Sequence, residues 1–211
     1  MTMEKQIIIN IGRQFGAGGL GVAHELGRKL GIPVYDKELI KDAAAKGSLN
    51  EEVLRTTDES AANSLLYTLA MGSNTLGAAM HFGYKMPLND KLFILQSEVI
   101  KEYAAEGSCV VIGRCADYVL RDEPNILRLF IYGDLDHREA RIHERHPELK
   151  SSQIIDVIGK TDKRRSSYYN FYTGNKWGAH DNYDLAINSS TFGVEKTAEM
   201  IANLARNMME E

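Results

Sequence analysis

The chain has 211 residues, of which 44% are hydrophobic and 26% charged, and its formal net charge is −4. That length buries a full core in one domain with room for a small insertion, and the acidic balance argues against nucleic acid or an acidic membrane as main partner. Cys109 and Cys115 are the only cysteines, Met1 is followed by no apolar targeting segment, and no stretch reaches the ~18 consecutive apolar residues of a membrane span, so a reduced cytoplasmic protein is expected.

The first element is the most informative. In QIIINIGRQFGAGGLG, Ile7, Ile8, Ile9 and Ile11 predict a strand buried on both faces. Gly12, Gly16, Gly18, Gly19 and Gly21 then predict a tight backbone with exposed N–H groups. Val22, Ala23, Leu26 and Leu30 follow at helical spacing. Strand, glycine loop and helix together make an anion site, with phosphate as the expected guest. Two schemes compete for it. Gly16, Gly18 and Gly21 spell G-x-G-x-x-G with Asp36 twenty residues after the first glycine, the pattern of a dinucleotide fold and an NAD-dependent oxidoreductase. That fingerprint starts at the strand end, whereas here Gly12, Arg13, Gln14 and Phe15 intervene. A longer loop that wraps a β-phosphate suits the length better, although its G-x-x-x-x-G-K-[ST] is broken by Gly19 at the lysine position and by the lack of a following Ser or Thr. A structural turn without ligand is the third reading.

Gly31-Ile32-Pro33 ends the helix, and IPVYD predicts a short strand ending at Asp36. Ligands of open α/β sheets bind at that edge, so Asp36 and Lys37 are candidate site residues; capping of the next helix is the equal alternative for Asp36. Residues 49 to 106 hold no strand and read as a helical insertion whose Met-rich part suits a substrate lid, a partner surface or plain packing. Within it His81 and Tyr84 are possible base contacts, and the Ala/Met-rich stretch 61–80 is where a homodimer contact is expected. PLNDKLFILQSEVIKEYAAEG carries an apolar stripe of Leu92, Leu95, Val99 and Tyr103. Gln96 interrupts it, with an amide suited to a base edge or to solvent.

Cys109 to Ile112 predicts a third strand, after which Gly113 hands over to Arg114, whose fork can take two phosphate oxygens in one plane. Asp117 lies three residues on, and Cys115 reads as packing. Ile126 to Tyr132 predicts a fourth strand, and DLDHREARIHERH a helix capped by Asp134. His137, His143 and His146 do not have metal-ligand spacing, and Arg138, Arg141 and Arg145 are expected to face a nucleotide or solvent. Next come Lys160, Lys163, Arg164 and Arg165, then Tyr168, Tyr169, Phe171, Tyr172 and Trp177. Such a cluster can bind single strands, but Asp162 and Arg165 on one helical face fit a phosphate-closing lid better, with a merely solvated helix as the alternative. Leu185–Asn188 predicts a fifth strand, and Val194–Met208 a closing helix.

Taken together, IGRQFGAGG, GIPVYDKELI, VVIGRCADYVL, DKRRSSYYNFYTGNKWG and YDLAINSS resemble the cytidylate-kinase-like proteins among the nucleoside monophosphate kinases, over nearly the whole chain. The resemblance implies one P-loop kinase-like α/β domain over residues 1–211, with a five-stranded parallel sheet ordered 2-3-1-4-5 and helices on both faces. It also implies a helical monophosphate-binding insertion at about 48–90 and a lid at about 150–180. By the same resemblance Gly16, Ala17 and Gly18 match the phosphate loop, Asp36 the acidic position of the monophosphate site, Arg114 the acceptor-phosphate arginine, and Asp162 and Arg165 the lid's D-x-x-R pair. Gly12, Arg13, Gly19 and Leu20 complete the expected donor loop. The departures are Gly19 for the lysine, Gly21 for a Mg2+-binding Ser or Thr, and Cys115 for an aspartate, with Asp117 as a displaced stand-in. Arg13, and after it Lys37, are the candidates to replace the lost charge. The expectation is ATP- and Mg2+-dependent phosphoryl transfer to a nucleoside monophosphate or similar acceptor, with Arg13, Arg114, Arg164 and Arg165 on the phosphates. A nucleotide sensor that has lost the chemistry is the alternative.

Overall fold

Each of the apolar runs becomes a strand. β1 (Ile8–Arg13), β2 (Val34–Tyr35), β3 (Cys109–Ile112), β4 (Ile126–Tyr132) and β5 (Leu185–Asn188) form one parallel sheet in the order β2-β3-β1-β4-β5. The computed structural model describes residues 5–36, 38–47 and 88–210. β1 is central, paired with β3 from Ile8 opposite Cys109 to Ile11 opposite Ile112, and with β4 from Ile8 opposite Ile126 to Arg13 opposite Ile131.

Alternation along β1 sends Ile7, Ile9 and Ile11 to one face and Ile8 to the other. On the first face they pack against α1 (Gly19–Leu30) and α7 (Ser189–Glu210) through Val22, Ala23, Leu26, Ala198, Ile201 and Ala205. On the second, Ile8, Cys109 and Val111 pack with Leu39 and Ala43 of α2 (Glu38–Lys46), with Leu92, Val99 and Ile100 of α3 (Leu88–Glu106), and with Ala116 of α4 (Ala116–Val119). Both faces are covered, which is why the strands read as continuous apolar runs. A third cluster joins Ile142 of α5 (Leu135–Arg145) to Ile154 and Ile158 of α6 (Ser151–Thr173), with Phe15 of the glycine loop against it.

Two local expectations change. Asp134 is the N-cap residue of α5, but its carboxylate makes no cap hydrogen bond; Oδ1 instead accepts the Asn188 side-chain amide at 3.1 Å, tying β4 to β5. Helical structure in α7 begins at Ser189 rather than Val194, with an interruption at Gly193, where φ is 74°. Lys37, most of the expected insertion, His81, Tyr84 and the 61–80 stretch lie outside the described residues. Among the described residues no helix is long and apolar enough to cross a membrane.

Candidate active site

The carboxyl ends of β1, β2 and β3 meet at one edge of the sheet, and a cavity opens there. Asn10, Gly12 and Arg13 line it from β1, and Gly113, Arg114 and Cys115 from the turn after β3. Asp117 of α4 lines it too, and α6 with the segment after it adds Arg165, Tyr168, Tyr169, Trp177 and Tyr183. Asn10 is the one polar residue in the apolar run of β1. It is buried, and its Nδ2 donates to Val111 O at 3.2 Å and Gly113 O at 3.3 Å. Those bonds fix a turn in which Gly113, Arg114 and Cys115 are all left-handed, with φ of 68°, 59° and 55°. For Arg114 and Cys115 that conformation costs on the order of 1 kcal/mol or more each, strain of the kind that gathers at functional sites.

The glycine loop is pinned from outside by guanidinium groups. Arg138 Nε donates to Phe15 O at 2.7 Å, Arg141 Nη1 to Gly16 O at 2.8 Å, and Arg165 Nη1 to Arg13 O at 3.2 Å. Asp162 Oδ1 accepts the Phe15 N–H at 2.7 Å, while Oδ2 pairs with Arg138. Three loop carbonyls are thus turned onto the protein. Gly16 and Gly18 supply the positive φ, 79° and 78°, that the turn requires. Gly18 caps α1 without a side-chain hydrogen bond and the first turn holds no acidic residue, an arrangement that suits an anion at the helix start.

Of the residues singled out from sequence, Gly12, Arg13, Arg114, Asp117 and Arg165 come together in the cavity. Asp36 reaches it through Arg13, whose Nη2 lies 3.9 Å from Oδ1. Gly16, Ala17, Gly18, Gly19 and Leu20 form the adjoining loop and the start of α1; Ala17 and Gly19 are buried and Leu20 is exposed. Asp162 sits on the loop backbone rather than in the cavity. Arg164 is exposed and outside the cavity lining, with Nη2 3.5 Å from Thr161 Oγ1. Gln96 is buried, not on the surface: its Oε1 accepts the Tyr168 hydroxyl at 3.4 Å, and its Nε2 makes no hydrogen bond among the described residues. Arg138 and Arg141, for which sequence offers only nucleotide or solvent, grip the loop. Their spacing of three on a helix puts them on one face, the one signal that pointed to a shared task.

Burial dominates the electrostatics. It raises the pKa of Asp117, against the lowering effect of the Tyr169 hydroxyl, which donates to Oδ2 at 2.6 Å. It also pushes up Tyr169, helped by the charge of Asp117, and Tyr183. The Cys115 thiol is pushed well up by burial and by Asp117, so it stays protonated and packs. Among the described residues the expected Mg2+ positions do not offer a seat: Gly21 has no hydroxyl, Asp117 is buried under Tyr169, and Asp36 faces Arg13. No group of three or more His, Cys, Asp or Glu side chains stands together among the described residues.

The model of the cytidylate kinase-like family matches residues 8–191. An uncharacterized protein from Eubacterium ventriosum, of known crystal structure, is 30% identical with a TM-score of 0.70, the alignment covering 95% of this chain and 98% of that one. The fold is shared with shikimate kinase from Acinetobacter baumannii, at 13% identity, TM-score 0.50 and coverage of 95% and 93%. It is shared also with shikimate kinase from Bacteroides thetaiotaomicron, at 13% identity, TM-score 0.51 and coverage of 95% and 98%. No curated protein matches the chain. The match over most of the chain, on the sheet order and loop found here, establishes that the protein belongs to the cytidylate kinase-like family.

Proposed function

We propose that the protein transfers the γ-phosphoryl group of ATP to a small phosphate acceptor of the nucleoside monophosphate class. The observation that carries this reading is the convergence of Arg13, Arg114 and Arg165 on one cavity beside the uncapped start of α1. Loop amides from Gly16 to Leu20 hold the donor phosphates, Arg114 the acceptor phosphate, and Arg165 the group in transit. An acceptor phosphate oxygen forms the new bond to the γ-phosphorus as its bond to the bridging oxygen breaks, and ADP leaves with that electron pair. The acceptor is already an anion, so no residue has to remove a proton. Bound with the nucleotide, Mg2+ would supply charge neutralisation, and among the described residues no cluster of His, Cys, Asp or Glu side chains forms a seat for it. In this reading residues about 150–180 close over the phosphates and about 48–90 hold the acceptor, with Gln96, Asp36 and Lys37 on its side of the site. Membership of the family supports the reaction class.

The test supplies ATP, Mg2+ and a panel of nucleoside monophosphates and follows ADP. Acceptor-dependent ADP release is expected, and Arg114→Ala lowers it at least about a hundredfold, the scale of losing one charged transition-state contact. Gly19 favours a second reading, a nucleotide sensor, because the usual loop cation is missing from that position. It predicts calorimetric binding of ATP with no ADP formed from any acceptor.

A further inference from the structure

The phosphate-loop pattern G-x-x-x-x-G-K has glycine first and lysine seventh, the lysine reaching the β- and γ-phosphates. Aligned on Gly18, this chain has Arg13 first and Gly19 seventh, so cation and glycine have exchanged ends. The two positions also meet in space. A Cβ on Gly19 would stand 2.7 Å from Arg13 Cβ and 3.0 Å from its Cγ, closer than real side chains approach. The stem of Arg13 fills the room a residue at 19 would need, and only one of the two positions can carry a side chain. Gly113, already a glycine by its φ of 68°, lies beside the guanidinium, where a Cβ would stand 2.2 Å from Arg13 Nη1. Asp36 stands 3.9 Å from Nη2, and the two side chains are only 15% and 19% exposed. The guanidinium is therefore held between two glycines and a carboxylate, on the wall of the cavity that Arg114 and Arg165 share.

We propose that Arg13 is the phosphate cation of the loop, doing from the first position what lysine does from the seventh, and that Gly19 is a glycine because it makes room for the Arg13 stem. The proposal rests on the phosphoryl-transfer reading for the identity of its ligand, while the seat itself is a matter of packing. A guanidinium brings a planar fork to two phosphate oxygens, where lysine brings a point charge. Asp36 acts as a positioning residue that holds the fork toward the edge where donor and acceptor phosphates meet.

The experiment titrates ATP with Mg2+ calorimetrically into the full chain, as wild type, Arg13→Ala, Gly19→Lys and the reciprocal double variant Arg13→Gly with Gly19→Lys. Arg13→Ala should weaken ATP binding at least about tenfold, the scale of a charge-assisted contact. Gly19→Lys alone should bind worse and melt lower than wild type. The double variant should regain most of the lost affinity and melt above Gly19→Lys. Wild-type affinity in Arg13→Ala, or a double variant that binds no better than Arg13→Ala, overturns the proposal and leaves the phosphoryl-transfer reading standing. A wild-type chain that binds no ATP ends that reading, and the assigned cation with it. Melting of Gly19→Ala still reads the seat without ligand: destabilisation is expected with Arg13 present and not after Arg13→Gly, and equal loss in both backgrounds refutes the seat.

Discussion

Asp117 lies buried at the cavity wall with the Tyr169 hydroxyl 2.6 Å from Oδ2. Burial raises its pKa in the folded chain, so the folded state holds this proton more tightly than the unfolded state does. Its favourable contribution is complete below the ordinary carboxylate pKa and is lost as pH rises through the raised value. Urea unfolding measured across that window should show wild type losing stability relative to Asp117→Asn as pH increases; a constant difference between the two would contradict the assignment. Asn10 was passed over in the apolar run of β1, and its task of fixing the left-handed turn at Arg114 was not legible. A side-chain bond to a backbone carbonyl, as from Asn10 to Gly113, leaves no trace in the residue type of its partner.

At the scale of elements, α6 is fastened to the loop by Asp162, which accepts the Phe15 N–H and pairs with Arg138, itself buried. Removing that carboxylate leaves a buried guanidinium and a loop amide unmatched. Asp162→Ala should therefore cost about 2 kcal/mol in denaturant unfolding and speed amide exchange at residues of the 13–19 loop. Unchanged loop exchange would show that α6 does not hold it. The pairing of Asp162 and Arg165 on one helical face was readable from spacing, and both do face the loop: Asp162 takes a loop amide and Arg165 donates to a loop carbonyl. Helical periodicity tells which residues share a face and not which neighbour that face meets. The strands were the opposite case, since runs such as Ile126–Tyr132 announce their own burial and their ends fall where the composition changes.

For the whole molecule, the two covered faces were legible because the strands are largely apolar and each is followed by a helix, whereas the sheet order was legible only through the family resemblance. Ile11 sits at the middle of that construction, fully buried between β3 and β4, and Ile11→Ala should cost about 3 to 4 kcal/mol of global stability in denaturant titration. A loss under about 1 kcal/mol would mean that β1 is not the central strand. The same sheet brings Arg13 and Arg114 to one edge, where α6 adds Arg165, and it is there that we propose a phosphoryl group changes hands. Phosphorus NMR of the full chain with ATP, Mg2+ and each nucleoside monophosphate in turn tests this most directly. For at least one acceptor, a new β-phosphate resonance should grow on the acceptor in step with ADP. ATP that binds and remains intact with every acceptor would contradict it.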